Sequence, residues 1–91
     1  MYKCKTKIIN PTGLHARPAS DFVSAAKNFS SKIKINDLTN DELPANAKSI
    51  IMLLSLGLVQ GTDIEILAEG EDEIEAVHTL VELIESGFGE V

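Results

Sequence analysis

Cysteine is all but missing: Cys4 stands alone among 91 residues. No internal disulfide can form, and one cysteine with two histidines cannot close a structural zinc site. A reducing cytoplasm is therefore the expected compartment, and no metal is called for. No Gly-, Ser- or Pro-rich linker, repeat or low-complexity segment divides the chain, so residues 1–91 read as one domain around one core. Long apolar runs are absent as well. The longest, Ile50 to Leu54, falls far short of the roughly 20 residues of a membrane span. The start Met1-Tyr2-Lys3-Cys4-Lys5 has no apolar stretch behind its charges, so neither export nor membrane insertion is expected. Lys and Arg are missing from residues 49–91, which carry ten acids, whereas residues 1–48 hold all eight bases and four acids. With a net charge of −6 and no basic stripe, the chain is not expected to bind nucleic acid. The basic first half is expected to form a positive face that steers an anionic partner.

What is present is an ordinary globular composition, 44% apolar and 24% charged. Tyr2, Cys4, Thr6 and Ile8 alternate with Lys3, Lys5 and Lys7, the period of a strand with one buried face. Asn10-Pro11-Thr12-Gly13 signals a turn. Ala19, Phe22, Val23, Ala26 and Phe29 then recur at helical spacing, with Pro18 in the tolerant first turn. Lys32-Ile33-Lys34-Ile35 predicts a second strand, and a short third is expected around Glu42 to Ala45. Asn46 or Ser49 can cap a short helix through Ile50, Leu53 and Leu54 that ends at Gly57. Thr62 to Ala68 predicts a fourth strand with Ile64, Ile66 and Ala68 on one face. A last helix follows Gly70, with Ile74, Val77, Val81 and Ile84 in its apolar stripe. His78 has no second ligand at i+4 and reads as structural. The order β-α-β-β-α-β-α implies an α+β open-faced sandwich: a four-stranded antiparallel sheet covered on one face by three helices.

His15 falls where the first helix begins. An imidazole is a competent nucleophile near neutral pH, and a phosphorylated ring nitrogen keeps enough energy to pass the group on. At a helix start, the free backbone N–H groups of Ala16 and Arg17 can meet phosphate oxygens, and the dipole favours added negative charge. The Arg17 guanidinium offers a planar fork to the same oxygens, and Gly13 permits a tight turn. A His-x-Arg pair alone is weak, because so short a motif recurs freely and a capping or surface histidine beside a solvated arginine is the better explanation of it in isolation. On the short helix, Ile50, Ile51, Met52, Leu53 and Leu54 cannot all share one inward stripe; Ile51 and Leu54 are expected to face out, and the pattern alone leaves a docking patch and a wide core-facing helix equally open.

The full run Gly13-Leu14-His15-Ala16-Arg17-Pro18-Ala19 resembles the active-site signature of the bacterial histidine-containing phosphocarrier (HPr) family of the sugar phosphotransferase system. The resemblance covers the whole chain. Lys48-Ser49-Ile50 through Ser55-Leu56-Gly57 is similar to that family's regulatory-serine helix, and Glu69-Gly70-Glu71-Asp72-Glu73 fits its close. The resemblance implies a carrier, not an enzyme turning over substrate alone, with no cofactor. His15 would accept phosphate on Nδ1 from phosphorylated enzyme I and donate it to IIA components of sugar permeases, with Arg17 assisting. Ser49 aligns with the serine modified by HPr kinase/phosphorylase in many Gram-positive bacteria, a modification that also engages a catabolite-control transcription regulator. The resemblance also implies that Ile51 and Leu54 form a docking patch. Many family members carry Met or Phe where this chain has Ile51, and the stretch Asn36 to Asn46 is a few residues longer than usual. The alternative is an HPr-like regulatory protein, serving nitrogen-type phosphotransfer or corepression. A free-standing hydrolase lacks a positioned carboxylate in the His15 segment. A monomer is expected, since His15 must meet several partners in turn.

Overall fold

Strict alternation of lysine with half-buried residues makes Tyr2–Lys7 a strand, β1. In the computed structural model, which describes residues 1–40 and 43–90, the order continues as α1 (Ala16–Ala26), β2 (Lys32–Asp37), β3 (Ala45–Asn46), α2 (Ile50–Ser55), β4 (Asp63–Glu69) and α3 (Glu73–Glu85). A 3-10 turn at Gly87–Gly89 follows. The four strands form one antiparallel sheet in the order β1-β4-β2-β3. This is the expected open-faced α+β sandwich. The third strand is shorter and later than expected, Ala45–Asn46; Glu42, where it was expected to begin, lies outside the described residues.

Period-two patterning decides which face is covered. Ile33 and Ile35 of β2 and Ile64, Ile66 and Ala68 of β4 are buried, and against them pack Ala19, Phe22, Val23 and Ala26 of α1, Leu53 of α2, and Ala76, Val77, Leu80 and Ile84 of α3. On α3 the expected stripe needs correcting. Ile74 is 55% exposed and Val81 only half-buried, while Ala76 and Leu80 are fully buried. At about 100° per residue, Ile74 and Val81 lie on the flank of Val77 opposite to Ala76 and Leu80, so a spacing of three or four from Val77 placed them beside the buried face, not on it. His78 is exposed on α3, and its Nε2 lies 2.7 Å from the Tyr2 hydroxyl, with the two rings edge to face.

The charge split also reads differently in space. Lys3, Lys5 and Lys7 of β1 and Lys32 and Lys34 of β2 all lie on the sheet's open face, in the layer opposite to α1. Strand β4 runs between them and sets Asp63 across from Lys7, Glu65 across from Lys5 and Glu69 across from Lys32. The acidic half is thereby interleaved with the basic half. On this face Lys5, Lys7 and Lys32 each stand across from a carboxylate, whereas Lys3 and Lys34 stand across from Leu67. The Lys7–Asp63 pair, 3.6 Å apart and exposed at both ends, contributes little to stability.

Asp72 joins the β2 start to the α3 start. Its carboxylate accepts from the Ser30 N–H at 2.9 Å and the Ser31 N–H at 3.0 Å, and from the Ser31 hydroxyl. The Ser31 hydroxyl and the Ser30 N–H, outweighing partial desolvation, hold its carboxyl down to about 2. A carboxyl depressed in the fold contributes fully above its ordinary value near 3.8 and loses that contribution as pH falls toward about 2. Urea unfolding of wild type and Asp72→Asn is therefore expected to show a stability gap at pH 5 that closes between about pH 4 and 2. A gap constant across that range contradicts the latch.

Candidate functional site

The site is built where β1 hands over to α1. Ile8 is buried, and its N–H donates to Thr62 O at 3.0 Å, holding the strand end in place. The turn that follows closes through Gly13 N–H to Asn10 O at 3.1 Å and Asn10 Nδ2 to Gly13 O at 2.9 Å. Gly13 has a φ of +69°, where a side chain is strained, and a Cβ there would meet Leu58 O and lie 2.9 Å from Val59 Cα. Leu14 is buried, and its N–H donates to Leu58 O at 3.0 Å. His15 is thus preceded by a residue fixed to the segment that follows α2.

His15 is the N-cap of α1, extended at φ −137° and ψ 155°, exposed, and making no side-chain capping hydrogen bond. Ala16 then takes a φ of +46°, the left-handed region that costs an alanine about 1–2 kcal/mol. Sequence reasoning had no signal for this strain, which sits on the residue whose N–H adjoins the imidazole. Within a helix the first N–H groups have no intrahelical acceptor, so those of Ala16 and Arg17 remain available, and Pro18, buried at the third position, has none to lose. Arg17 is exposed, and among the described residues neither His15 nor Arg17 is engaged in an ion pair. His15 and Arg17 thus stand two residues apart at one helix start, both exposed, beside two free amides. Such a set can receive an anion and surrender it again, because it lacks enclosing walls.

Helix α2 packs beside α1. Its six residues present Ile51 at 78% exposure, Met52 at 45%, Ile50 at 38% and Leu54 at 37%, and only Leu53 is buried. Ile51 and Leu54 do reach solvent, but the patch is wider than those two and includes Ile50 and Met52. Val59, also exposed, follows Leu58 at the end nearest His15. Ser49 stands at the opposite end as the N-cap of α2, its Oγ accepting from the Met52 N–H at 3.3 Å. Asn46, the other candidate cap, instead accepts from the Lys48 N–H through Oδ1 and belongs to β3.

The family model described as "PTS HPr component phosphorylation site" matches residues 2–86. The phosphocarrier protein HPr of Haemophilus influenzae is 49% identical over 84 residues, covering 92% of this chain and 95% of that protein. The multiphosphoryl transfer protein of the same organism is 41% identical over 83 residues, 91% of this chain but 17% of that protein. The crystal structure of HPr from Thermoanaerobacter tengcongensis superposes with a TM-score of 0.93 at 49% identity, covering 100% of this chain and 99% of that one. The dimeric Crh of Bacillus subtilis, a catabolite-repression protein whose structure shows a swapping domain, superposes with a TM-score of 0.73 at 38% identity. A phosphorylation-site family model spanning nearly the whole length, with relatives and a fold of matching extent, makes the chain a member of the HPr phosphocarrier family of the phosphotransferase system.

Proposed function

We propose that the protein carries a phosphoryl group on His15, taking it from phosphorylated enzyme I and passing it to IIA domains of sugar permeases. The observation that carries this reading is the exposed imidazole at the start of α1, beside the free N–H groups of Ala16 and Arg17 and an uncommitted guanidinium. In the acceptor step His15 Nδ1 attacks phosphorus, the N–P bond forms as the donor's bond to phosphorus breaks, and the reverse exchange delivers the group to the next protein. The two amides and Arg17 take the charge of the phosphoryl oxygens, and the docked partner completes the surroundings of the transition state. The test mixes the protein with phosphoenolpyruvate, magnesium and enzyme I and follows acid-labile phosphate. No label on the folded wild type overturns the reading.

Partners dock on the α2 face in this reading, and Ile51 is its most exposed apolar side chain. Truncating Ile51 to Ala is expected to change stability by less than about 0.5 kcal/mol, since the side chain is already in water. It is expected to raise KM for enzyme I or a IIA domain about tenfold. An unchanged KM removes Ile51 from the docking surface.

Ser49 is the regulatory site in this reading. A phosphate there lies at the positive end of α2 and places two negative charges beside the apolar patch, which weakens docking by desolvation and repulsion. Incubation with ATP and an HPr kinase/phosphorylase labels the wild type and not Ser49→Ala; an unmodified wild type withdraws Ser49 and, with it, the link to a catabolite-control regulator. The working compartment is the cytoplasm. No described helix is long and apolar enough to cross a membrane. The carrier acts as a monomer, which sedimentation checks directly against the dimer known for Crh.

A further inference from the structure

One carboxylate away from the imidazole remains unexplained by the carrier reading. Glu90 follows the Gly87–Gly89 turn, in which Phe88 adopts a φ of +53° and the Glu90 N–H returns to Gly87 O at 2.9 Å, folding the chain back toward the β1–α1 loop. There its carboxylate accepts from the Thr12 N–H at 3.1 Å, the Thr12 hydroxyl at 2.7 Å and Asn10 Nδ2 at 3.4 Å. Both Glu90 and Thr12 are exposed, so this contact is a polar one at the surface. The Thr12 hydroxyl and N–H, with a smaller part from Asn10, hold the Glu90 carboxyl below its ordinary value, so it is charged wherever the protein is folded at neutral pH.

Asn10 links the loop to the same carboxylate. It is completely buried, and Gly13 O, Thr12 Oγ1 and Glu90 all surround its Nδ2, so the amide must point that way. Its Oδ1 is left buried without a hydrogen-bond partner. Flipping the amide would set Oδ1 against Gly13 O and the Glu90 carboxylate, so these acceptors fix its orientation. Glu90 is one of those acceptors, and it acts three residues ahead of His15.

We propose that Glu90 is a positioning residue for phosphoryl transfer: by clamping Thr12 and orienting Asn10, it fixes the Asn10–Gly13 turn from which His15 and the Ala16 and Arg17 amides are presented. The proposal rests on His15 being the phosphoryl acceptor. Misplacing an attacking atom costs rate more than binding, and the docking face on α2 is untouched by a change at Glu90. In full-length protein shown to be folded by its circular dichroism, Glu90→Ala is expected to lower kcat for transfer from phosphorylated enzyme I about tenfold, with KM within about twofold of wild type. Glu90→Gln keeps an acceptor for the Thr12 N–H and is expected to recover most of the loss. Thr12→Val is expected to cost a similar factor, and the double variant no more than either single one, because the partners act as a unit.

Amide hydrogen exchange separates the clamp from the chemistry. The Thr12 N–H is expected to exchange about tenfold faster in Glu90→Ala, as befits the loss of a hydrogen bond to a charged acceptor. A kcat equal to wild type in folded Glu90→Ala overturns the proposal, and so does a loss carried by KM alone. If the wild type takes no phosphate, the acceptor reading fails first, and unchanged exchange at Thr12 then overturns the clamp on its own ground.

Discussion

His15→Ala, mixed with phosphoenolpyruvate, magnesium and enzyme I, takes up no acid-labile phosphate while melting within a few degrees of the wild type. The first half of this result follows from the chemistry: no other side chain lies at the start of α1 with a nucleophilic ring nitrogen, and His78, the second histidine, lies on α3 with its Nε2 engaged by Tyr2 of β1. The second half follows from the structure. His15 is exposed and makes no side-chain capping bond, so its removal leaves no cavity and no stranded partner, and the stability change is expected to stay within about 0.5 kcal/mol. The two readouts together separate a transfer residue from a folding residue. Arg17 grades the result. Arg17→Ala loses a fork that meets developing charge and is expected to slow transfer about ten- to a hundred-fold. Arg17→Lys keeps the charge without the planar pair of donors and falls between. Phosphate recovered on His15→Ala at the wild-type level contradicts the assignment of the acceptor.

The elements were largely legible because each carries its own period: alternation in β1, β2 and β4, and a three-to-four spacing in α1. The helix-start location of His15 was legible for a similar reason, since Gly13, Pro18 and the apolar positions of α1 all mark the same boundary. What local pattern did not carry is whatever depends on which elements become neighbours. Glu90 and Thr12 lie 78 positions apart in the chain, and an isolated glutamate after a Gly-Phe-Gly run gives no hint of its target. The same holds for Asp72 and the two serines of the β2 start. Which lysines meet carboxylates is likewise a property of topology: only with β4 set between β1 and β2 do Asp63, Glu65 and Glu69 stand across from Lys7, Lys5 and Lys32. On α3, a stripe counted in threes and fours from Val77 was right in period but off in phase, which left Ile74 outside the core. The strain at Ala16 is a backbone state that alanine does not advertise.

Replacing Gly13 by Ala is expected to be the most damaging single methyl that can be added near the site. Two independent costs coincide there. At φ +69° a Cβ is strained by about 1–2 kcal/mol, and the same Cβ collides with backbone, Leu58 O and Val59 Cα, which cannot swing aside as a side-chain tip does. Together they are expected to remove about 3 kcal/mol, lowering the melting temperature by roughly 15 °C for a domain of this size. Gly57 isolates the two terms. Its φ is +60°, but nothing lies within 4 Å of the Cβ it would gain, so Gly57→Ala carries the conformational cost alone, about 1 kcal/mol. The difference between the two variants measures the contact between the His15 loop and the segment after α2. That contact is also the route by which the docking helix and the transfer residue share one frame, because the Leu14 N–H to Leu58 O bond spans it. A Gly13 side chain that forces the two loop segments of this junction apart displaces His15 relative to the α2 face. Phosphoryl transfer in Gly13→Ala should therefore fall further than its remaining folded fraction accounts for, whereas transfer in Gly57→Ala should track the folded fraction. Equal melting temperatures for the two variants would show that Leu58 and Val59 yield, and that the junction is looser than the 3.0 Å bond across it indicates.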